Sequence, residues 1–507
     1  KLHTFSMPFN SLFSWYIGKR MKRIADYKNN PHENQEKIFH YLISQISKTE
    51  FGLEKELNIN THYSEFKEKI PLQDYGTLKS LIDLSIEGKT NLLWPGKTKW
   101  FAKSSGTTAD RVKKLPITKE LLEFNHYAGG KDLLAQYYAN HPKRKLYNVK
   151  HLIIGGSGLI TKKAGGVFIG DLSAIIINNL PAWTEVRRTP KKEIALLGNW
   201  EEKLEKMAHS VIHENIGILA GIPSWTSLLL KKVLEISGKN TIHEVWPNLE
   251  LYIHGGMNFN PYRATFSKLI GKNINYVESY NASEGYFGMQ DQTDKDELLL
   301  LTNSQIFYEF ISMSEFKNLE SETISLEEVA VDTEYALVIS TSAGLSRYLI
   351  GDTIRFTSIN PYRFKVSGRI SHYMNAFGEK MIVDHAEKAI AKASSANNAR
   401  IQDYTVAPFF NFESATGGHE WIIEFEEEPK DYKRFKIALD DELKIANADY
   451  EAKRINNINI EFPRFVFVPK GTFYEWFKRQ KKLGGQHKIP RLTNDRKVIE
   501  QLLEIIS

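Results

Sequence analysis

Between residues 149 and 277, short apolar runs alternate with an amphipathic stretch, and this alternation constrains the fold more than any other feature. Val149–Ile154, Leu249–Ile253 and Ile274–Val277 have strand length and read as buried strands, each closed by a polar or glycine-rich loop. Gly155-Gly156 follows the first, and His254-Gly255-Gly256 follows the second. Asn199–Ile212 has helical periodicity, and Asn199 and Glu202 stand at capping-box spacing. Strands separated by helices specify an α/β sheet in the middle of the chain.

The flanks read differently. Helical patterns dominate the first hundred residues, as in Asn34–Ser47, and a further helix spans Thr118–Asn140 with Thr118 as its N-cap. Downstream, Tyr335–Thr341, Ser346–Ile350, Thr353–Thr357 and Arg363–Val366 are close-set short strands that predict an appended antiparallel sheet or small barrel. Beyond residue 370 the order is helix (Val383–Ala396), two strands (Asp403–Phe410, Glu420–Phe425), helix (Asp431–Ile445) and strand (Arg464–Val468), a compact α+β unit. The turn-rich stretch Gly368–Gly378 predicts a boundary between a large N-terminal domain, 1–372, and a smaller C-terminal one, 373–507.

Composition narrows the function classes. The 507 residues are 42% hydrophobic, enough for a large core. A net charge of +6, with both signs well mixed, suits an anionic small molecule but is too diffuse to predict nucleic-acid binding. With no cysteine, disulfides, thiolate metal sites and covalent thioesters on the chain are excluded; this is compatible with a reducing cytoplasm, the expected location. No segment approaches the roughly 20 apolar residues of a membrane span, so no membrane insertion is expected. Lys1–Ser6 read as a remnant ahead of a native start at Met7, and the apolar stretch after it as a first helix packed on the protein body.

Three separated motifs carry chemistry. Lys103-Ser104-Ser105-Gly106-Thr107-Thr108 concentrates hydroxyls around a glycine, with Lys113-Lys114 just beyond, which is what a polyphosphate cradle needs. Tyr280-Asn281-Ala282-Ser283-Glu284-Gly285 follows a strand and places one carboxylate in a small-residue turn, within reach of magnesium on phosphate oxygens. Tyr348-Leu349-Ile350-Gly351-Asp352, with Arg369 beyond it, ends a strand on an aspartate able to accept both hydroxyl protons of a ribose. Taken singly, each also reads as an ordinary turn: a solvated loop, a strand-end turn and a hairpin.

In this order and spacing, the motifs resemble the auxin-responsive acyl-acid amido synthetases, the Gretchen Hagen (GH-three) family of the adenylate-forming superfamily. Leu249-Glu250-Leu251-Tyr252-Ile253-His254-Gly255-Gly256 and Gly485-Gln486-His487-Lys488-Ile489-Pro490-Arg491 add to the likeness, which runs from about Met7 to the C-terminus. The resemblance implies ATP and Mg²⁺ as cofactors, a small carboxylic acid as substrate, and an amino acid or other amine as acceptor. It implies a mobile C-terminal domain. Ser104, Ser105, Thr107 and Thr108 would line the phosphates, Tyr280 and Asn281 the adenine, Asp352 the ribose with Tyr348 beside it, and Glu284 the magnesium. Arg369 and Lys380 would contact the nucleotide around the hinge, and Lys488 would reach the reacting carboxylate and α-phosphate. One departure stands out: Ala109-Asp110 replaces the glycine pair many adenylating enzymes carry, which puts the role of Lys113 in question.

The chemistry these parts would serve is carboxylate activation. Attack on the ATP α-phosphate makes an acyl adenylate and releases pyrophosphate, and an amine then displaces AMP. Two anions meet in the first step, so a well-placed cation is required, and Lys488 between flexible glycines is the candidate. For the acyl pocket the candidates are Trp225 after Ile222-Pro223-Ser224, and His254, Gly255, Gly256 and Phe259 at a strand end. No His, Asp and Glu cluster has ligand spacing, so no structural metal is expected. A coenzyme A ligase using the same first step, and a homologue that only binds nucleotide or acid, remain as alternative readings.

Overall fold

A computed structural model describes residues 7–104, 113–142, 146–156, 158–256, 259, 262–370, 374, 377, 379, 381–411, 416–454, 460–480, 483, 489–493 and 495–506. Its centre is an 11-stranded sheet. From edge to edge the strands are Ile306–Ser312, Glu334–Thr341, Tyr348–Ile359, Tyr362–Arg369, Leu298–Leu300, Gly285–Gln290, Asn275–Ala282, Leu251–Gly255, Ile216–Gly221, Lys150–Ile154 and Arg188–Thr189. The last five pair in parallel, and the strands from Gly285–Gln290 to Ile306–Ser312 pair antiparallel.

The parallel half is the α/β region expected from the sequence, with helices as crossovers. In Trp200–Val211, Trp200, Lys203, Met207 and Val211 form a buried stripe at helical spacing, against Leu219, Leu229 and Trp246. Asn199 caps this helix, its side chain accepting from the Glu202 amide at 2.9 Å. Glu202 turns to Lys206 instead (2.7 Å), so only one half of the capping box forms.

Two expectations need correction. The antiparallel strands are not an appended sheet or barrel: they hydrogen-bond into the same sheet as the parallel ones. Ser346–Ile350 and Thr353–Thr357 are not two strands but parts of one, Tyr348–Ile359; Gly351, at φ +95°, absorbs the irregularity that reads as a turn in sequence. The helix after Thr118 also departs from regularity. Thr118 caps it through the Leu121 amide (3.1 Å), but Leu122–His126 is a π-turn before Tyr127–Asn140 resumes the α-helix.

A second sheet of four strands holds the hairpin Trp100–Ser104/Lys113–Ile117, whose register ends at Ser104 opposite Lys113. Residues 105–112, outside the described set, join the hairpin's open end. The first helix, Met7–Asn29, packs on the body as expected: Ile24 and Tyr27 are buried, and Arg20 meets the buried Asp132 at 2.6 Å.

After residue 370, Arg400–Asn411, Thr416–Glu427 and Arg464–Val468 form a three-stranded sheet with its own core of Tyr404, Trp421, Phe435, Leu439 and Tyr450. Helices Val383–Ala396 and Tyr432–Ala446 cover it. Contacts with the large sheet unit include Lys231 to Glu426 at 3.1 Å, Lys268 to Glu427 at 3.1 Å, and Thr265 to Glu426, alongside the apolar packing of Phe477 near Trp225 and of Leu483 on the helix core. Among the described residues no helix is long and apolar enough to cross a membrane.

Candidate active site

Asn275–Ala282 is where the sheet changes from parallel to antiparallel pairing, and open α/β sheets place ligands outside the strands' carboxyl ends. Tyr280 lies near that end. Ala282 pairs with Gly285, which leaves Ser283-Glu284 as the two-residue connection to the next strand.

Across the sheet, Asp352 and Arg369 face each other on adjacent strands, and Arg369 Nε meets Asp352 Oδ1 at 2.8 Å. The Tyr280 hydroxyl donates to Asp352 Oδ2 at 2.6 Å. Both carboxylate oxygens are therefore oriented, and each keeps a further lone pair for a ligand hydroxyl. Burial, and next the Asp352 charge, raise the Tyr280 phenol well above its ordinary value, so it is a fixed donor at neutral pH. Asp352 holds the Arg369 guanidinium charged, raising its pKa against the effect of burial.

Glu284 is buried, and desolvation raises its carboxyl above the usual range; Lys113 opposes that shift most strongly, while Asp352 adds to it. The same balance shows that Lys113, at the base of the 105–112 loop, lies within electrostatic reach of Glu284. Lys113 and Asp352, from two of the sequence motifs, thus lie within electrostatic reach of the Glu284 carboxyl in the third, while residues 105–112 lie outside the described residues. Tyr348 is fully buried beside them, its hydroxyl without a hydrogen-bond partner among the described residues, and its pKa is raised by burial and by the Glu284 charge. Ser104 ends the hairpin strand and Asn281 is half-buried at the turn. Ser105, Thr107, Thr108, Lys380 and Lys488 lie outside the described residues.

Family models match three consecutive parts of the chain: the GH3 family N-terminal domain over residues 20–274, the central domain over 299–369 and the C-terminal domain over 384–497. The chain belongs to the GH3 family. Indole-3-acetic acid-amido synthetase GH3.3 of Arabidopsis thaliana is 22% identical, over 96% of this chain and 93% of that one. The 4-substituted benzoates-glutamate ligase GH3.12 of the same plant is 20% identical, over 95% and 96%. Among solved structures, the GH3.15 acyl acid amido synthetase superposes with a TM-score of 0.79 at 17% identity, covering 95% of each chain. A 2-hydroxyisobutyryl-CoA ligase in its postadenylation state gives 0.56 at 11% identity, over 96% and 90%, which extends the fold likeness to adenylate-forming enzymes.

The acyl-pocket candidates of this GH3 chain separate into two places. Trp225 is buried in the helix core, edge-on to Trp200 at 4.6 Å and 6.1 Å from Phe477 of the C-terminal unit. His254 and Phe259 stack at 4.3 Å beside a cavity of about 240 Å³ whose walls include Arg263, Tyr276, Glu278 and Asp296. Burial, with Arg263 adding to it, lowers the His254 pKa to about 3, so the ring is neutral. Gly255 is required by packing: a Cβ there would lie 2.2 Å from the Ser279 carbonyl oxygen. Gly256, at φ +79°, turns the chain out of the strand.

Sequence reasoning missed Glu278 and Lys203. Glu278 pairs in register with His254, and burial, then repulsion from Asp296, push its carboxyl up to about 7. It stands two residues before Tyr280, so the period-two rule puts both on one face of the strand, a signal available from sequence. Lys203 is buried on a helix stripe with its ammonium on the Gly155 and Gly156 carbonyls (3.2 and 2.6 Å); desolvation lowers its pKa to about 8. It fixes the glycine turn at another parallel strand end. Nothing in the sequence distinguishes it from a surface lysine.

Proposed function

We propose that this GH3 chain joins a small carboxylic acid to an amine, an amino acid by preference, through an acyl adenylate formed from ATP. The observation that carries this is the meeting of Tyr280, Asp352, Arg369, Glu284 and Lys113 where the sheet changes from parallel to antiparallel pairing. It is supported by the relatives, one named as an indole-3-acetic acid-amido synthetase and one as a ligase of 4-substituted benzoates with glutamate.

Asp352, oriented by Tyr280 and Arg369, accepts the ribose hydroxyls. The 103–113 loop, through Ser104, Ser105, Thr107 and Thr108, cradles the β- and γ-phosphates. Tyr280 and the Asn281 backbone flank the adenine. Arg369 and Lys380 hold the nucleotide from the hinge side. Glu284 fits a magnesium ion that arrives with ATP, since Mg²⁺ takes one or two carboxylates and its remaining oxygens from phosphate and water. Bound there, the ion neutralises phosphate charge. Lys488 from the C-terminal unit supplies the cation where the substrate carboxylate attacks the α-phosphate. Trp225, His254, Gly255, Gly256 and Phe259 remain candidates for the substrate walls.

The units divide near residues 372 and 373, and the solvent-exposed ion pairs among their contacts suit an interface that opens between half-reactions. A reducing cytoplasm is the compartment in which a cysteine-free, ATP-consuming ligase would work. ATP–pyrophosphate exchange over a panel of acids tests the first half-reaction. Product mass spectrometry with pooled amino acids against coenzyme A tests the second, and thioester without amide would favour the ligase alternative.

A further inference from the structure

Resting on the reading above, we infer that Arg491 is a positioning residue for the adenylation step: it fixes the segment from which Lys488 reaches the reacting carboxylate and α-phosphate, and it does so where the two units meet.

A side chain that acts as a placed charge must be held closely, since a misplacement of about 1 Å can cost 10²-fold. Gly484 and Gly485 stand ahead of Lys488 and offer no side chain to anchor the chain. The hold must come from the other side, and there residues 489–493 are tied down. Ile489 is buried in a core with Ala407, Ile422, Phe473 and Trp476. The Thr405 hydroxyl donates to the Pro490 carbonyl at 2.6 Å. The Val406 amide donates to the Arg491 carbonyl at 2.9 Å, and the Thr493 amide to the Val406 carbonyl at 3.0 Å. The segment therefore runs parallel to strand Arg400–Asn411, bridged to it at Leu492. Lys488 itself lies outside the described residues, but two residues of chain keep its Cα within about 7 Å of that of the anchored Pro490.

Arg491 binds this segment to three further elements. Its side chain is 11% exposed, and its guanidinium donates to the Asp403 carboxylate and, at 2.9 Å, to the Tyr404 carbonyl. It also lies 4.5 Å from the centre of the Tyr404 ring, and its Nε is 3.5 Å from Glu387 on helix Val383–Ala396. Burial raises the pKa of both carboxyls, and Arg491 is the strongest influence opposing that rise at each. The third element belongs to the other unit. Tyr262, buried at the entry to helix Arg263–Ile270, is within electrostatic reach of Arg491, Asp403 and Glu387. It stands three residues past Phe259, in the stretch that leaves the strand end at Gly255. The anchor of the Lys488 segment thus meets the large unit beside the acyl-pocket candidates.

A planar guanidinium can serve these partners together because its donors lie in a fixed fork, whereas an ammonium keeps the charge and loses the fork. The donors of Arg491 are spent on the protein, so its role is to place Lys488.

The test is a double-mutant cycle between the two residues, read by single-turnover formation of the acyl adenylate with the acid that gives the fastest ATP–pyrophosphate exchange. Arg491→Lys, which keeps a cation between the carboxyls, should slow that step roughly tenfold at saturating ATP and acid while leaving both KM values within about threefold of wild type. Combined with Lys488→Ala, it should cost no more than about threefold further, because nothing is left to position. Thr405→Val, which frees the Pro490 carbonyl, should show the same pattern with a smaller loss, and it carries the cycle should Arg491→Lys not fold. The inference is overturned if the variant leaves the single-turnover rate unchanged, if its loss persists in full on top of Lys488→Ala, or if the loss falls on KM instead of the rate at saturation. A wild-type rate for Lys488→Ala would instead overturn the reading on which the inference rests.

Discussion

Tyr280 and Asp352, from opposite sides of the point where the sheet changes direction, are joined by a 2.6 Å hydrogen bond from phenol to carboxylate. Arg369 grips the other carboxylate oxygen. A carboxylate held at both oxygens cannot rotate away from a ligand, and the geometry is complete before ATP arrives. Tyr280→Phe should therefore raise KM for ATP roughly 10-fold, on the scale of one charge-assisted hydrogen bond. Asp352→Asn should cost roughly 10²-fold or more in kcat/KM for ATP. Steady-state kinetics on both variants checks this.

Glu284 differs from an ordinary surface carboxylate because burial raises its pKa. The ionised form that would hold magnesium is consequently lost at a higher pH than for an exposed glutamate. Adenylation should fall on the acid side with this limb displaced upward, while Glu284→Gln should lose roughly 10²-fold and flatten the limb. A pH–rate profile with magnesium held saturating reads both effects.

Glu278 gives a stability signature. Its folded pKa of about 7 lies above the ordinary carboxyl value, so the native state holds this proton more tightly than the unfolded chain. The stabilising contribution is complete below the unfolded pKa and disappears as pH rises through about 7. Wild type should lose about 3 kcal/mol relative to Glu278→Gln between the two ends of that window, by denaturant melts at several pH values.

Trp225 separates packing from recognition. Wedged against Trp200 and near Phe477, it should cost about 3–5 kcal/mol on replacement by alanine. A change in KM for the acid, measured well below the lowered melting temperature, would add a substrate contact to that structural role.

Lys488 carries the expectation with the largest catalytic effect. Lys488→Ala should slow adenylation roughly 10²–10³-fold. Single-turnover formation of the acyl adenylate, monitored by quench flow, measures that step apart from amide formation.

Much of the architecture was legible because periodicity and capping report it. Val383–Ala396 and Arg464–Val468 have the bounds read from sequence, and Thr118 and Asn199 cap the helices expected of them. Gly351 misled because a glycine before an aspartate looks the same in a hairpin as inside an irregular strand. The antiparallel strands looked separate because sheet continuity is a long-range property, set here by the pairing of Leu298–Leu300 with both Gly285–Gln290 and Tyr362–Arg369. Motif order singled out Tyr280, Glu284 and Asp352, which the structure brings near one another. Lys203 was not singled out: burial, which gives it its meaning, leaves no mark on the residue itself.

The central claim is that this chain activates a carboxylic acid with ATP, and ATP–pyrophosphate exchange on wild type and Asp352→Asn in parallel measures it most directly. Acid-dependent transfer of labelled pyrophosphate into ATP should appear with at least one acid of the panel and fall roughly 10²-fold in the variant. Absence of exchange with every acid, together with no ATP binding by calorimetry, would contradict the account.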